Sequence, residues 1–182
     1  MRHFLKLAEQ VNIRPLLTMV YQQPSLWNQV PLRTQTQGSP HLEVDDILLR
    51  LQPLDGSCAD KRECVDYAAL DALPPARDLI HALMAAVRGT RLGRCMLTRV
   101  PPGHRIYPHT DVGTHPLHYD TERYYNRYHI VLQCDGGSYF RAEDEVVRMQ
   151  PGETWWFNNA VEHEVWNDGQ TDRIHLIVDI HS

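Results

Sequence analysis

The chain of 182 residues has no uninterrupted apolar run of the roughly 18 residues a membrane-spanning helix requires. Cysteine is scarce. Cys58, Cys64, Cys95 and Cys134 are the only four, and none forms a C-x-x-C pair, which argues against a structural zinc knuckle. Cys58 and Cys64 are close enough to meet across a loop, but reduced thiols are the default expectation. Basic charge is not in excess. Lys and Arg number 18 against 23 Asp and Glu, a net charge of -5, which disfavours an electrostatically driven nucleic-acid or membrane partner. Internal repeats and low-complexity tracts are also missing. Met1–Gln10 carries charges inside its apolar stretch and does not read as a secretory leader. A cytoplasmic protein is the expectation.

What remains is enough for a packed core. Hydrophobic residues make up 42% of the chain, and the length suits one compact domain over residues 1–182. Residues 1–92 read as helical and irregular. Ile13–Gln22 has helical character with Pro15 near its first turn, Ser25–Pro40 is loop-like, and Asp46–Gln52 is a short apolar strand. Asp55–Asp66 reads as irregular. Pro74–Val87 is the clearest helix, with Leu79, Ile80, Leu83, Met84 and Val87 at helical spacing. From residue 93 the texture changes to short strands separated by Gly, Pro and Asp turns. The strands are Cys95–Val100, Arg105–His109, Arg127–Cys134, Ser138–Arg141, Glu145–Met149, Glu153–Asn158, His163–Asn167 and Arg173–Ile180. Such a series implies a closed or sandwiched β core, with the preceding helices on one outer face.

Within it, His109 and Asp111 stand two residues apart, and His163 lies in a later strand. Residues i and i+2 of an extended strand point the same way. Two imidazoles and one carboxylate are the donor set of a mononuclear Fe(II) site that keeps coordination positions open. Taken alone, an H-x-D pair among 11 His is not rare. Arg173, ten residues after His163, is suited to hold an acidic co-substrate.

Periodicity places Arg127, His129 and Val131 on one face of their strand and Tyr128, Ile130 and Leu132 on the other. Arg173 and His175 likewise oppose Ile174, Leu176 and Val178. A basic face on a buried strand is costly unless it meets an anion; the alternative is a solvated face. If His163–Asn167 and Arg173–Ile180 form a hairpin, a two-residue Asp168-Gly169 loop turns Arg173 away from His163. A three-residue loop ending on Gly169 sets the two opposite each other on one face, and a shared site calls for the latter.

The ordered set Pro108-His109, Arg127-Tyr128-His129, Pro151-Gly152-Glu153 with Trp155-Trp156-Phe157, Glu162-His163-Glu164-Val165-Trp166, and Arg173 leading into Ile177-Val178-Asp179 resembles the aspartyl/asparaginyl β-hydroxylase family of Fe(II)/2-oxoglutarate dioxygenases. The resemblance spans roughly residues 95–181; Ser39-Pro40-His41 and Asp46–Arg50 match only loosely. It implies a double-stranded β-helix, a cupin-like jelly roll, with His109 and His163 as iron ligands. It implies Arg173 as partner of the distal carboxylate of 2-oxoglutarate, with Arg127 and His129 near the co-substrate's other end. The family's animal peptide hydroxylases have Gly where this chain has Asp111, so the full two-His-one-carboxylate set is a departure from them.

The activity implied is hydroxylation of a C–H bond with Fe(II), 2-oxoglutarate and O2, on an amino acid, peptide or protein side chain. Arg50 and Arg99 are candidates for a substrate carboxylate, with surface ion pairs as the alternative. His104, His115 and His118 read as solvated loop residues, with a place at the site entrance or on the substrate as the alternative. Two other readings compete: a cupin-like metal enzyme that does not use 2-oxoglutarate, and a non-catalytic ligand-binding β-barrel. Arg173 discriminates against the first, since without an acidic co-substrate it has no evident task in the site.

Overall fold

The computed structural model describes residues 1–55, 63–111 and 125–182; Cys58, His115 and His118 lie outside them. In chain order the elements are β1 (Phe4–Ala8), α1 (Arg14–Gln22), a 3-10 turn (Pro24–Leu26), β2 (Asp45–Leu51), β3 (Val65–Asp66), α2 (Ala68–Ala72) and α3 (Pro74–Ala86). Then come β4 (Arg91–Val100), β5 (Arg105–His109), β6 (Asn126–Gln133), β7 (Ser138–Ala142), β8 (Glu145–Val147), β9 (Thr154–Phe157), β10 (His163–Asn167) and β11 (Arg173–His181).

The strands form two antiparallel sheets. A seven-stranded sheet runs β1-β9-β6-β11-β4-β2-β3, and a four-stranded sheet runs β5-β10-β7-β8. This is the expected double-stranded β-helix, and alternation along each strand explains the layers. Ile47, Leu49, Cys95, Leu97, Tyr128, Ile130, Leu132, Ile174, Leu176 and Val178 cover the outer face of the large sheet. Against them pack Leu16 and Val20 of α1 and Ala76, Ile80 and Leu83 of α3. Burying each Leu or Ile there contributes roughly 1.5–3 kcal/mol. Both helices begin with Pro in the first turn, where its missing N–H costs nothing.

The other residues of the same strands look inward. Val100, Val131 and Phe157 meet Phe140, Ala142 and Val165 of the small sheet. Arg127, His129, Arg173 and His175 share this inner face and are all buried. The expected division of β6 and β11 into an apolar and a basic face therefore holds, and the basic face is an interior rather than a solvated one.

The expected hairpin between β10 and β11 does not form. β10 pairs with β5 and β7 in the small sheet, whereas β11 pairs with β4 and β6 in the large one. The segment after Asn167 crosses between sheets, and neither loop length applies. Asp135 holds this crossing: it accepts hydrogen bonds from the N–H groups of Gln170 (2.6 Å) and Thr171 (3.0 Å). Gly137 lies so close that an added Cβ would come within 2.5 Å of the Gly169 backbone. Tertiary contact between two turns overrides the local hairpin signal. His163 instead lies opposite His109 and Ala142, and Arg173 lies opposite Val100.

β1, α2 and β3 add to the expected elements. β3 takes Val65–Asp66, at the end of the segment read as irregular, onto Leu51 and Arg50. Cys64, Cys95 and Cys134 are free thiols. No helix among the described residues is long and apolar enough to cross a membrane.

Candidate metal centre

β5 and β10 bring His109 and His163 together as direct strand partners, with ring centroids 4.3 Å apart. Asp111 follows β5 by two residues. Its Oδ1 lies 3.8 Å from His109 Nε2 and its Oδ2 lies 3.8 Å from His163 Nε2. One ligand atom from each of the three falls within 4.8 Å of the others. The three residues singled out from spacing thus converge at the end of the small sheet.

Hydrogen bonding prepares both imidazoles. His109 Nδ1 lies 2.7 Å from the Tyr107 carbonyl, and His163 Nδ1 lies 2.9 Å from the Val161 carbonyl. A carbonyl only accepts, so each Nδ1 carries the proton and each Nε2 presents a lone pair to the cluster. Burial lowers both pKa values, that of His163 to about 4. Burial pushes the Asp111 carboxyl up, but the Arg127 guanidinium, with smaller help from His163, overrides it and holds the group below the usual carboxylate range. Two neutral imidazoles and an ionised carboxylate at neutral pH fit a divalent transition metal, and this mixed N/O set suits Fe(II).

A chain of charge stands behind Asp111. Arg127 Nη1 donates to Asp111 Oδ2. The same guanidinium donates through Nε to Asp179 Oδ1 (2.7 Å) and through Nη2 to Asp179 Oδ2 (2.9 Å). Arg94 Nε donates to Asp179 Oδ2 from the other side at 2.9 Å. Arg127, expected near the co-substrate, is thus held by two carboxylates.

Arg173 is different. It is 2% exposed. Among the described residues its guanidinium meets no carboxylate, and its polar contact is His175 Nδ1 at 3.1 Å. Burial lowers its pKa to about 10. Its guanidinium also lies 5.7 Å from the Phe140 ring, which is 6.1 Å from the His163 ring. A guanidinium only donates, so His175 accepts at Nδ1 and carries its proton on Nε2, a buried atom with no partner among the described residues. His129 Nδ1 lies 3.2 Å from His175 Nδ1, and burial holds both imidazoles well below their usual pKa.

Arg50 and Arg99 are not brought to this interior. Arg50 pairs with Asp66 and lines a pocket with Leu70, Arg77, Ile80 and His81 beneath α3. Arg99 donates to Asp45 Oδ2 (2.7 Å) and stacks on Trp27, on the helix-covered side. Two residues not singled out for the site lie near it. His41 packs edge-on to His109, with ring centroids 4.8 Å apart, because Tyr107 N–H donates to the Pro40 carbonyl. Arg33 reaches the inner face and donates to Asp46 (2.7 Å) and Thr98 (3.0 Å). Both come from an aperiodic loop that gives no sign of which way its side chains face.

The chain is similar to known proteins in sequence and in fold. L-proline cis-4-hydroxylase of Rhizobium meliloti (strain 1021) is 29% identical over 110 residues, 59% of this chain but only 35% of that protein. Among solved structures, a Pseudomonas putida prolyl-4-hydroxylase superposes with a TM-score of 0.56 at 16% identity, covering 100% of this chain and 93% of that one. A prolyl hydroxylase from Trichoplax adhaerens, solved with a hypoxia inducible factor peptide fragment, gives 0.61 at 13% identity, covering 100% and 84%. At these identities the structures speak for the fold alone. The sequence profile of the family described as aspartyl/asparaginyl beta-hydroxylase matches residues 4–182, nearly the whole chain, and the protein belongs to that family.

Proposed function

We propose that the protein is an Fe(II)/2-oxoglutarate-dependent hydroxylase of an amino acid, peptide or protein side chain. The observation that carries this reading is Arg173. Among the described residues the buried Arg173 guanidinium has no carboxylate partner, which is expensive, and next to it His175 holds a second donor without an acceptor. Native interiors satisfy such groups; an anionic ligand would satisfy both kinds of demand. Arg173 and the His109–Asp111–His163 cluster both border Phe140 or its neighbours in the space between the sheets. A short dicarboxylate that reaches from a metal to a guanidinium suits that arrangement.

When bound, Fe(II) and 2-oxoglutarate supply an oxidant for an unactivated C–H bond, at the expense of the co-substrate's decarboxylation and O2. The protein's own contribution is more specific. His109 and His163 would bind the metal through Nε2, each ring fixed by the backbone carbonyl behind it. Asp111 would bring the third ligand and one negative charge. Arg173 would orient the distal carboxylate, with a planar fork that Lys lacks. Phe140, Phe157 and Val165 keep this interior dry, which strengthens every charged contact in it.

Proline or a proline-containing peptide is the first substrate to test, since the similar proteins carry proline hydroxylase names. The enzyme reading itself is tested by anaerobic addition of Fe(II) and then 2-oxoglutarate, followed by visible absorption. A charge-transfer band that needs both components supports it; a spectrum unchanged by 2-oxoglutarate favours a metal enzyme that does not use it.

A further inference from the structure

We infer that Asp179 is a positioning residue for the metal-binding carboxylate, acting through Arg127; the inference rests on the reading of His109, Asp111 and His163 as a metal centre. Asp179 occupies the middle strand β11, with an arginine on each neighbouring strand. Arg127 of β6 is its direct cross-strand partner. On the other side the β11–β4 register shifts between Val178 and Ile180, so Asp179 sits at a bulge, and Arg94 of β4 reaches it there. Bulges re-aim side chains, often beside functional sites. This one places a carboxylate that is 1% exposed between two guanidiniums.

The consequence is geometric. Asp111 lies beyond the end of β5, so no sheet ladder fixes its side chain. Among the described residues, its carboxylate accepts a hydrogen bond from one group, Arg127 Nη1. The Arg127 guanidinium is planar, and Asp179 holds two of its nitrogens, Nε and Nη2. With two corners fixed, the third nitrogen has one direction left, and that direction meets Asp111. Asp179 therefore sets where the Asp111 oxygens lie relative to His109 Nε2 and His163 Nε2. It also shares the charge of Arg127, which would otherwise draw Asp111 away from a cation.

The test is a double-mutant cycle read as Co(II) affinity, by titrating the full chain with Co(II) and following its visible d–d absorption. Loss of a residue that orients a ligand typically weakens metal binding roughly 10–100-fold. Asp179→Asn keeps the side-chain shape, and it is expected to weaken Co(II) at least about tenfold in the wild-type background. In an Asp111→Ala background the same substitution is expected to change affinity less than about twofold, because the carboxylate it positions is gone. An equal loss in both backgrounds, or none in the wild type, overturns the inference. If His109→Ala binds Co(II) as the wild type does, the metal centre itself is wrong, a separate outcome. Should Asp179→Asn fail to fold, the charge-balanced double substitution Asp179→Asn with Arg94→Gln takes its place in the same cycle, with the same expected and overturning results.

Discussion

His163 faces His109 across the β10–β5 ladder, and their imidazoles stand 4.3 Å apart with both Nδ1 atoms held by backbone carbonyls. Neither ring is part of the large apolar cluster beneath the helices. His109→Ala and His163→Ala are therefore expected to retain the far-UV circular dichroism of the wild type while losing metal-dependent turnover of 2-oxoglutarate. Removal of a direct ligand should cost Fe(II) affinity at least the roughly 10–100-fold typical of an orienting partner. Wild-type succinate yield from either variant under limiting iron would refute the ligand assignment.

Asp111 gives a second expectation. With two neutral imidazoles as the other donors, its anion is the only ligand charge among the described residues. Asp111→Ala should weaken Fe(II) binding and turnover together, and Asp111→Gly, the residue found in the two-His relatives, should do the same here. Unchanged affinity and unchanged succinate in the Gly variant would mean that the carboxylate is dispensable.

The buried imidazoles predict acid sensitivity. His129 and His175 have pKa values held well below the usual range, first by burial and then by Arg173. The unfolded chain takes up their protons near pH 6.5, so between there and pH 5 it binds more protons than the folded protein. Stability must then fall as pH falls. Each such imidazole contributes about 1.4 kcal/mol per pH unit, so the pair gives roughly 3 kcal/mol per unit at the steep end. Asp111 and Asp179, with lowered pKa values, add their loss only as pH approaches the ordinary carboxylate range near 4. Urea midpoints measured from pH 7 to 5 check this; a flat profile would contradict it.

Much of the architecture was legible because it is written in local periods. The 3.6-residue spacing in α3 reports its buried face, and the alternation in β6 and β11 reports their division into an apolar and a basic face; both divisions are the ones observed, with the basic face buried as well. The i, i+2 spacing of His109 and Asp111 carried the site in the same way. What was not legible depends on contacts between distant segments. The Asp168-Gly169 signal suggests a hairpin, but Asp135 and Gly137 turn that segment into a crossing between sheets. β1 buries only Phe4 of its five residues, too little for an apolar pattern. The pairing of Arg127 with Asp179 depends on strand register, and the placement of His41 on a loop laid along β5. No single segment encodes either.

The most direct test of the account is the affinity of the Mn(II)-loaded protein for 2-oxoglutarate without O2, by calorimetric titration of the wild type and Arg173→Ala. Removing one partner of a buried charged pair costs on the order of 3–5 kcal/mol, and roughly 1.4 kcal/mol is tenfold in affinity. The dissociation constant is therefore expected to rise by about two orders of magnitude or more, with Mn(II) affinity nearly unchanged. Equal 2-oxoglutarate affinity in the two proteins would contradict it and leave Arg173 a structural residue.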